Sequence, residues 1–337
     1  MRKKTTKISN GVDKKLIVIL GPTASGKSEL AVKLAKRFKG KIISADSRQV
    51  YKGMNIGTGK VNPDTKNYSN FSTGQAKNKY IFTHKGIPHY CINVASPKRR
   101  FTVAQYRKLA IESINKIFKK GGVPILCGGT GFYIQAVTDG IIIPEVKPDW
   151  KLRKKLEKKT VEELFYQLKK LDPERAKTIE NKNKRRLIRA LEIIIKTKKS
   201  VPPFQKEPLP YPVFMIGIKK SPEELKKLIK KRFLKWLRQG LIKEVKNLRK
   251  TGLSFKKIGG FGLHYQVVSQ YLQNKINYEE MVKNSLKELQ NYVKRQMTWF
   301  KRHPAPEQVR CGASKRIRWI KNYKEAEELL KKFLKNN

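Results

Sequence analysis

Apolar residues first gather at 16–20 as LIVIL, a run with no polar alternation. A run so short and continuous predicts a strand covered on both faces. The period then changes. Leu30, Ala31, Leu34, Ala35 and Phe38 recur at helical spacing until Gly40. KIIS at 41–44 predicts a second strand, which ends at Asp46. From Val61 to Tyr80 the text is Asn, Ser, Thr and Lys, and predicts a loop or small excursion. Over 103–118 an amphipathic helix turns Tyr106, Leu109, Ala110, Ile114 and Ile117 inward and closes at Gly121-Gly122. VPILC at 123–127 predicts a third buried strand, running straight into GGTGFY.

Strand and helix in alternation, with glycine-rich turns at strand ends, predict a parallel α/β sheet. Near Pro144 the pattern becomes wholly helical. Thr160 with Glu163 fits a capping box, and Asp172-Pro173 fits a helix start with proline in its first turn. PPFQKEPLPYP at 202–212 interrupts everything, and VFMIGI at 213–218 is again a strand. Ser221-Pro222-Glu223-Glu224 and Asn277 with Glu280 predict two further helix starts, the second helix reaching about Arg302. The predicted organisation is a catalytic α/β core over 12–143 and 206–337, a helical insertion over 144–205 and a disordered basic N-terminus over 1–11. No internal repeat is visible.

Charge adds a partner. Of 337 residues, 78 are Lys or Arg and 26 are Asp or Glu, a net charge of +52. Such an excess points to a polyanion, most simply nucleic acid. Apolar runs of about five residues cannot span a bilayer, and LIVIL is too short for a signal-peptide core. The expected location is the cytoplasm. Three widely spaced cysteines suit a reducing compartment, and His84, His89 and Cys91 match no zinc spacing.

GPTASGKS at 21–28 carries the first chemistry. Gly21, Gly26, Lys27 and Ser28 satisfy the phosphate-loop spacing. Glycines let backbone N–H groups curl round an anion, and the helix N-terminus adds a favourable dipole. Lys27 neutralises oxygens and Ser28 can ligate Mg²⁺. Asp46 falls at the carboxyl edge of the sheet beside this loop. A carboxylate there can hold Mg²⁺ through water, take a proton, or cap the next turn. In a phosphate-loop ATPase, a strand such as the third usually ends in an acid for the metal. Here it ends in Gly128-Gly129-Thr130-Gly131, a hydroxyl with exposed backbone, which suits binding a diphosphate and letting it leave. A phosphate-loop kinase and a basic RNA-binding protein with a decayed site are the other classes. The missing acid and a basic helical insertion count against the first; intact Lys27, Ser28, Asp46 and Thr130 count against the second.

GPTASGKS, DSRQVYKGMNIGTGK (46–60), GGTGFYIQAV (128–137), KRRLIRALEI (184–193), RFLKWLRQGLIKEV (232–245), GLHYQ (262–266) and KRQMTWFKR (294–302) together resemble the successive motifs of bacterial tRNA dimethylallyltransferases. The resemblance runs in order from about Leu16 to Arg302, and RIRWIKNYKEAEELL (316–330) fits the final strand and helix. This chain departs from the family in having Arg48 for a more usual Met, Gly59 for Ala, a loose GLHYQ motif, and about twenty additional residues around 62–84. The resemblance implies a P-loop NTPase-like parallel sheet with flanking helices and an inserted all-helical tRNA-binding subdomain. It implies transfer of a dimethylallyl group from dimethylallyl diphosphate to N6 of the adenosine 3′-adjacent to the anticodon. Gly21, Pro22, Thr23, Ala24, Ser25, Gly26, Lys27 and Ser28 would hold the diphosphate, with Mg²⁺ on Ser28. Lys27, Thr130 and Arg232 would stabilise the leaving group, and Asp46 would accept the amine proton. Asp46, Ser47, Arg48, Gln49, Arg185, Arg186, Leu187, Ile188, Arg189 and Gln296 would meet the tRNA anticodon stem-loop. By spacing, however, Leu187, Ile188, Leu191 and Ile194 face a core. Between Glu180 and Ser200 there are eight basic residues and two acids, as a phosphate-binding helix would have. A monomer is expected.

Overall fold

The computed structural model describes residues 14–64, 82–142, 144, 146–202, 205–302 and 317–335. The expected disorder at 1–11 and most of the additional 62–84 segment fall outside these residues. The chain splits into two compact units, Met1–Gly140 with Pro208–Asn337, and Ile141–Glu207.

The first unit is built on a seven-stranded sheet. Its strands are β1 (Leu16–Leu20), β2 (Gly40–Ala45), β3 (Phe82–His84), β4 (Ile87–Tyr90), β5 (Val123–Gly128), β6 (Val213–Ile218) and β7 (Arg318–Ile320). The order is β3-β4-β2-β5-β1-β6-β7. All neighbours are parallel except the β3–β4 hairpin. LIVIL lies near the middle, and its period-2 geometry divides its side chains between two cores. Leu16, Val18 and Leu20 join a large core with α2 (Val103–Lys119), α3 (Gly131–Thr138), α8 (Pro222–Arg238), α9 (Leu241–Lys250), α10 (Phe255–Gly259), α11 (Leu263–Tyr271) and α12 (Tyr278–Arg302). Ile17 and Ile19 join a smaller core with α1 (Lys27–Arg37) and α13 (Tyr323–Lys335). Each such fully buried aliphatic side chain contributes about 1.5–3 kcal/mol, which is why a five-residue strand can anchor the sheet.

The hairpin β3–β4 has no counterpart among the predicted strands. IPHY is short, contains Pro88, and alternates buried with half-buried positions. The edge strand is β3, but Pro88 precedes the His89–Tyr90 stretch through which β4 pairs with β2, so its missing N–H interrupts no bond of that ladder. Capping chemistry, by contrast, reads directly. Ser221 and Glu224 form a reciprocal box at the start of α8, and Asn277 and Glu280 exchange bonds of 2.9 Å at the start of α12. Among the described residues, no helix is long and apolar enough to cross a membrane.

The second unit holds α4 (Trp150–Leu156), α5 (Val161–Leu171), α6 (Pro173–Thr178) and α7 (Lys184–Thr197) around Leu156, Leu164, Leu168, Leu187 and Leu191. Its ends fall at 141 and 207 rather than 144 and 205. Ile141 bridges Lys206, and the Ile142 N–H donates to the Gln205 carbonyl, so the two connecting segments pair and close the unit. Buried Glu192 ties it together. It accepts from Arg153 Nε at 2.7 Å, from the Asp149 N–H at 2.7 Å, and from Arg189 Nη1. Burial raises the pKa of this carboxyl, but the bonds from Arg153 and Arg189 outweigh it and hold the group below its usual range.

Candidate active site

Strand register assembles the site. Leu20 pairs with Gly128, and Gly128 pairs with Ala45, so β1, β5 and β2 end side by side. The segments that follow are 21–28, 129–131 and 46–51, and they emerge together at the carboxyl edge of the sheet. This is where open α/β sheets bind ligands.

The loop after β1 has the form of an anion cradle. Gly26 caps α1 with φ 91°, and Ala24 also sits in the left-handed region at φ 65°, a conformation that costs an alanine about 1–2 kcal/mol. Lys27 Nζ donates to the Pro22 carbonyl at 3.2 Å. Buried Ser25 Oγ has no hydrogen-bond partner among the described residues. Burial, and then repulsion from Arg232, lower the Lys27 pKa to about 8. Arg232, from α8, donates through Nη1 to Thr23 Oγ1 at 3.3 Å and stacks its guanidinium 4.7 Å from the Trp236 ring centre. Two cations and an unpartnered hydroxyl thus converge on one short loop. Gly59 makes room for this arrangement: a Cβ there would lie 1.7 Å from Arg232 Nη2.

Asp46 divides its two oxygens. Oδ1 accepts from the N–H groups of Arg48 at 2.8 Å and Gln49 at 3.3 Å, the turn-capping role. Oδ2 carries no hydrogen bond among the described residues, and the side chain is half-buried. Thr130 stands opposite. Its Oγ1 accepts from the Ser47 N–H at 3.0 Å, and its own N–H donates to the Ala45 carbonyl at 3.1 Å. The 46–51 turn and the GGTG segment are therefore sewn together at the threonine.

Residues 49–303 match the family described as IPP transferase, and residues 14–69 match an isopentenyl transferase family. The chain belongs to the IPP transferase family. It is 38% identical over 295 residues to a tRNA dimethylallyltransferase of Acetivibrio thermocellus, covering 85% of this chain and 88% of that one. It is 34% identical over 332 residues to one of Alkaliphilus oremlandii, covering 96% and 97%. Among solved structures it resembles the tRNA isopentenylpyrophosphate transferase of Bacillus halodurans, with a TM-score of 0.62 at 31% identity over 96% of each chain. It also resembles a eukaryotic dimethylallyltransferase acting on tRNA, with a TM-score of 0.66 at 25% identity over 86% of this chain and 70% of that one. Its core is accordingly the P-loop NTPase-like sheet with flanking helices.

Within this family member, several residues expected at the RNA have other duties. Gln296, buried on α12, accepts from the Thr23 N–H at 2.9 Å and donates to the Gly129 carbonyl at 2.8 Å. It bolts the phosphate loop to GGTG and so positions the site. Close packing explains the neighbouring glycines: a Cβ at Gly129 would lie 2.3 Å from Gln296 Nε2, and one at Gly131 2.2 Å from the Trp299 ring. Gln49 is committed too. It accepts from Ser44 Oγ at 2.8 Å and donates to the Thr58 and Gly59 carbonyls at 3.2 and 3.4 Å. Ser47 is held by Thr130, and half-buried Arg48 lies 6.0 Å over the Phe261 ring.

On α7, Leu187 and Ile188 are 0% and 6% exposed, in the core of the second unit, so their side chains do not present a surface to RNA. Arg189 is spent on Glu192 and on the Pro144 and Val146 carbonyls. Arg185 and Arg186 are the exposed pair; Arg186 makes one solvent-facing bridge to Glu180 at 3.3 Å.

Glu244 was absent from the sequence-derived candidates and is the most heavily used carboxylate near the site. Its Oε2 accepts from the N–H groups of Asn55 at 2.6 Å and Ile56 at 2.7 Å. Its Oε1 accepts from the Gly57 N–H at 3.1 Å and the Tyr265 hydroxyl at 2.8 Å. Lys60 completes this support by donating to the Tyr51 carbonyl, Asn55 Oδ1 and Asn93 Oδ1. Burial pulls its pKa down to about 7. In the sequence, Glu244 looks like any first-turn helix acid. The only available signal was its place in RFLKWLRQGLIKEV, between two motifs carrying more obvious chemistry.

Proposed function

We propose that the protein transfers a dimethylallyl group from dimethylallyl diphosphate to N6 of the adenosine 3′-adjacent to the anticodon of tRNA. The products are N6-dimethylallyladenosine and diphosphate. The observation that carries the reading is the meeting of a cationic loop and a half-free carboxylate at one sheet edge, in a chain of this family. Diphosphate oxygens suit the loop N–H groups, Lys27, Arg232 and the unpartnered Ser25 hydroxyl. In the reaction the bond from C1 to the bridging oxygen breaks and its electron pair leaves with the diphosphate. A bond forms from N6 to C1, and the N6 proton passes to Asp46 Oδ2. Lys27, Arg232 and Thr130 act on charge that grows on the departing oxygens, where fixed donors stabilise a transition state most. Adenine N6 is a weak nucleophile because its lone pair is delocalised. Removing its proton during attack is the task of a general base, worth typically 10²–10⁴-fold.

Mg²⁺ fits this reading as a partner of the diphosphate. Ser28 directly follows Lys27 at the start of α1, where its hydroxyl would be the ligand; the small cavity it lines with Ser44 and Gln49 is otherwise mostly apolar, with Ala31, Ile42, Val61 and Ile92. Among the described residues no group of three His, Cys, Asp or Glu side chains could hold a metal alone. Mg²⁺ characteristically takes a few protein oxygens together with phosphates and water. When bound on Ser28 and the diphosphate, it would neutralise leaving-group charge.

The RNA must bring its adenine out of the stacked loop, at a cost of a few kcal/mol. Phosphate contacts from exposed basic residues such as Arg185 and Arg186 offset that cost. The test is to incubate tRNA with the protein and dimethylallyl diphosphate, digest it, and identify nucleosides by mass spectrometry. One adenosine should carry a dimethylallyl group in place of an amine hydrogen. Unmodified tRNA, or a phosphorylated product formed from ATP, would reject the reading.

A further inference from the structure

Helix α3 follows Thr130 directly and is almost wholly inside the protein. Tyr133, Ile134, Ala136, Val137 and Thr138 are buried. Phe132 is the exception at 43% exposed. Of the large apolar side chains exposed among the described residues, it is the one that directly follows a site segment, next to Gly131 at the start of α3. A tyrosine or tryptophan at a surface can offer water its polar tip; a phenylalanine has none, so its exposure is uncompensated. The adjacent Gly131 is already covered by the Trp299 ring, which makes close contact there. Phe132 therefore stands beside the reaction edge with a bare ring, within one helical turn of the Thr130 hydroxyl.

We infer that Phe132 is a stacking platform for an unpaired nucleobase flanking the adenine that reacts. The inference rests on the tRNA reading above and adds a residue to it. Withdrawing one base from a single-stranded loop leaves its neighbour with an uncovered face. An aromatic side chain beside the site replaces the lost stacking without reading sequence, because every base has a π-face. The net charge of +52 brings the polyanion to the surface; the ring then fixes the register of the loop over Thr130 and Asp46.

The experiment compares Phe132→Ala, Phe132→Leu and Phe132→Tyr for affinity to an anticodon stem-loop RNA and, separately, to dimethylallyl diphosphate. Phe132→Ala should weaken RNA binding about 5- to 150-fold, the value of one base–aromatic stack at tenfold per 1.4 kcal/mol. Phe132→Tyr should restore it, Phe132→Leu should not, and donor affinity should stay unchanged in all three. On RNA whose nucleotides next to the reacting adenosine are made abasic one at a time, one position should abolish the difference between Phe132→Ala and the unaltered protein. A Phe132→Ala protein with undiminished RNA affinity would overturn the inference, as would equal rescue by leucine or a loss confined to the donor. If the unaltered protein bound no anticodon stem-loop, the tRNA reading would fall with it. Normal binding by the unaltered protein with no Phe132 effect would remove the stacking role alone.

Discussion

Replacing Glu244 with Gln should lower stability by about 2–4 kcal/mol, although the two side chains have the same shape. The carboxylate accepts four hydrogen bonds, two at each oxygen. The single carbonyl oxygen of glutamine can keep the Asn55 and Ile56 donors. Its NH₂ then faces the Gly57 N–H and the Tyr265 hydroxyl. The hydroxyl can rotate to accept, but the N–H cannot. One buried donor left without a partner costs about 1–3 kcal/mol. The two bonds that survive lose their charge assistance, roughly half their strength. Urea unfolding followed by circular dichroism reads the loss. Tyr265→Phe supplies a check, since it should cost about 1 kcal/mol alone and much less when combined with Glu244→Gln, the two sharing one bond. A loss below about 1 kcal/mol for Glu244→Gln, or strict additivity of the two changes, would show that the 55–57 turn does not depend on this carboxylate.

Two further expectations concern binding. Lys27 titrates near 8 in the free protein, depressed by burial and by Arg232, and a bound diphosphate must raise that value. Diphosphate affinity should therefore be steady below pH 8 and fall as the pH rises above it, with proton uptake on binding; a flat profile from pH 7 to about 9.5 would contradict this. Replacing exposed Arg185 and Arg186 together with Ala should weaken tRNA binding and flatten the slope of log affinity against log salt by roughly 1–2, as for two lost phosphate contacts, and an unchanged slope would remove them from the RNA surface.

The legible parts of this chain are those where local sequence and burial agree. β1 and β5 announce themselves because strands buried on both faces are near-continuous apolar runs, β2 is legible from Ile42-Ile43 between Gly40 and Asp46, and the segments after all three carry the glycines and polar groups. The helix starts at Ser221 and Asn277 were equally plain, since a cap is a contact three residues long. What stayed hidden depends on distance along the chain. Glu244 reaches backbone donors 187 to 189 residues away, and Gln296 joins Thr23 across 273. Nothing near either residue names the partner it reaches. Leu187, Ile188 and Arg189 show the reverse: the first two side chains lie in the core of the second unit and the third is paired with Glu192. Motif likeness put them at the RNA, while the helical period around Leu191 and Ile194 had already turned the two apolar residues inward. By sequence Asp46 fits a turn cap, a metal-holding group or a proton acceptor; in the structure it caps with one oxygen and leaves the other open.

The rate of a single turnover by Asp46→Asn, with tRNA and dimethylallyl diphosphate both bound, tests whether this open oxygen takes the amine proton. Asparagine can still accept at the Oδ1 position from Arg48 and Gln49, so the turn should survive, but a carboxamide cannot take up the proton. The chemical step should slow about 10²–10⁴-fold, equivalent to roughly 3–5 kcal/mol of barrier, with donor and tRNA affinities close to those of the unaltered protein. The defect should persist at every Mg²⁺ concentration. Recovery of the rate at high Mg²⁺, or a rate unchanged by the substitution, would contradict the assignment of Asp46 as the base.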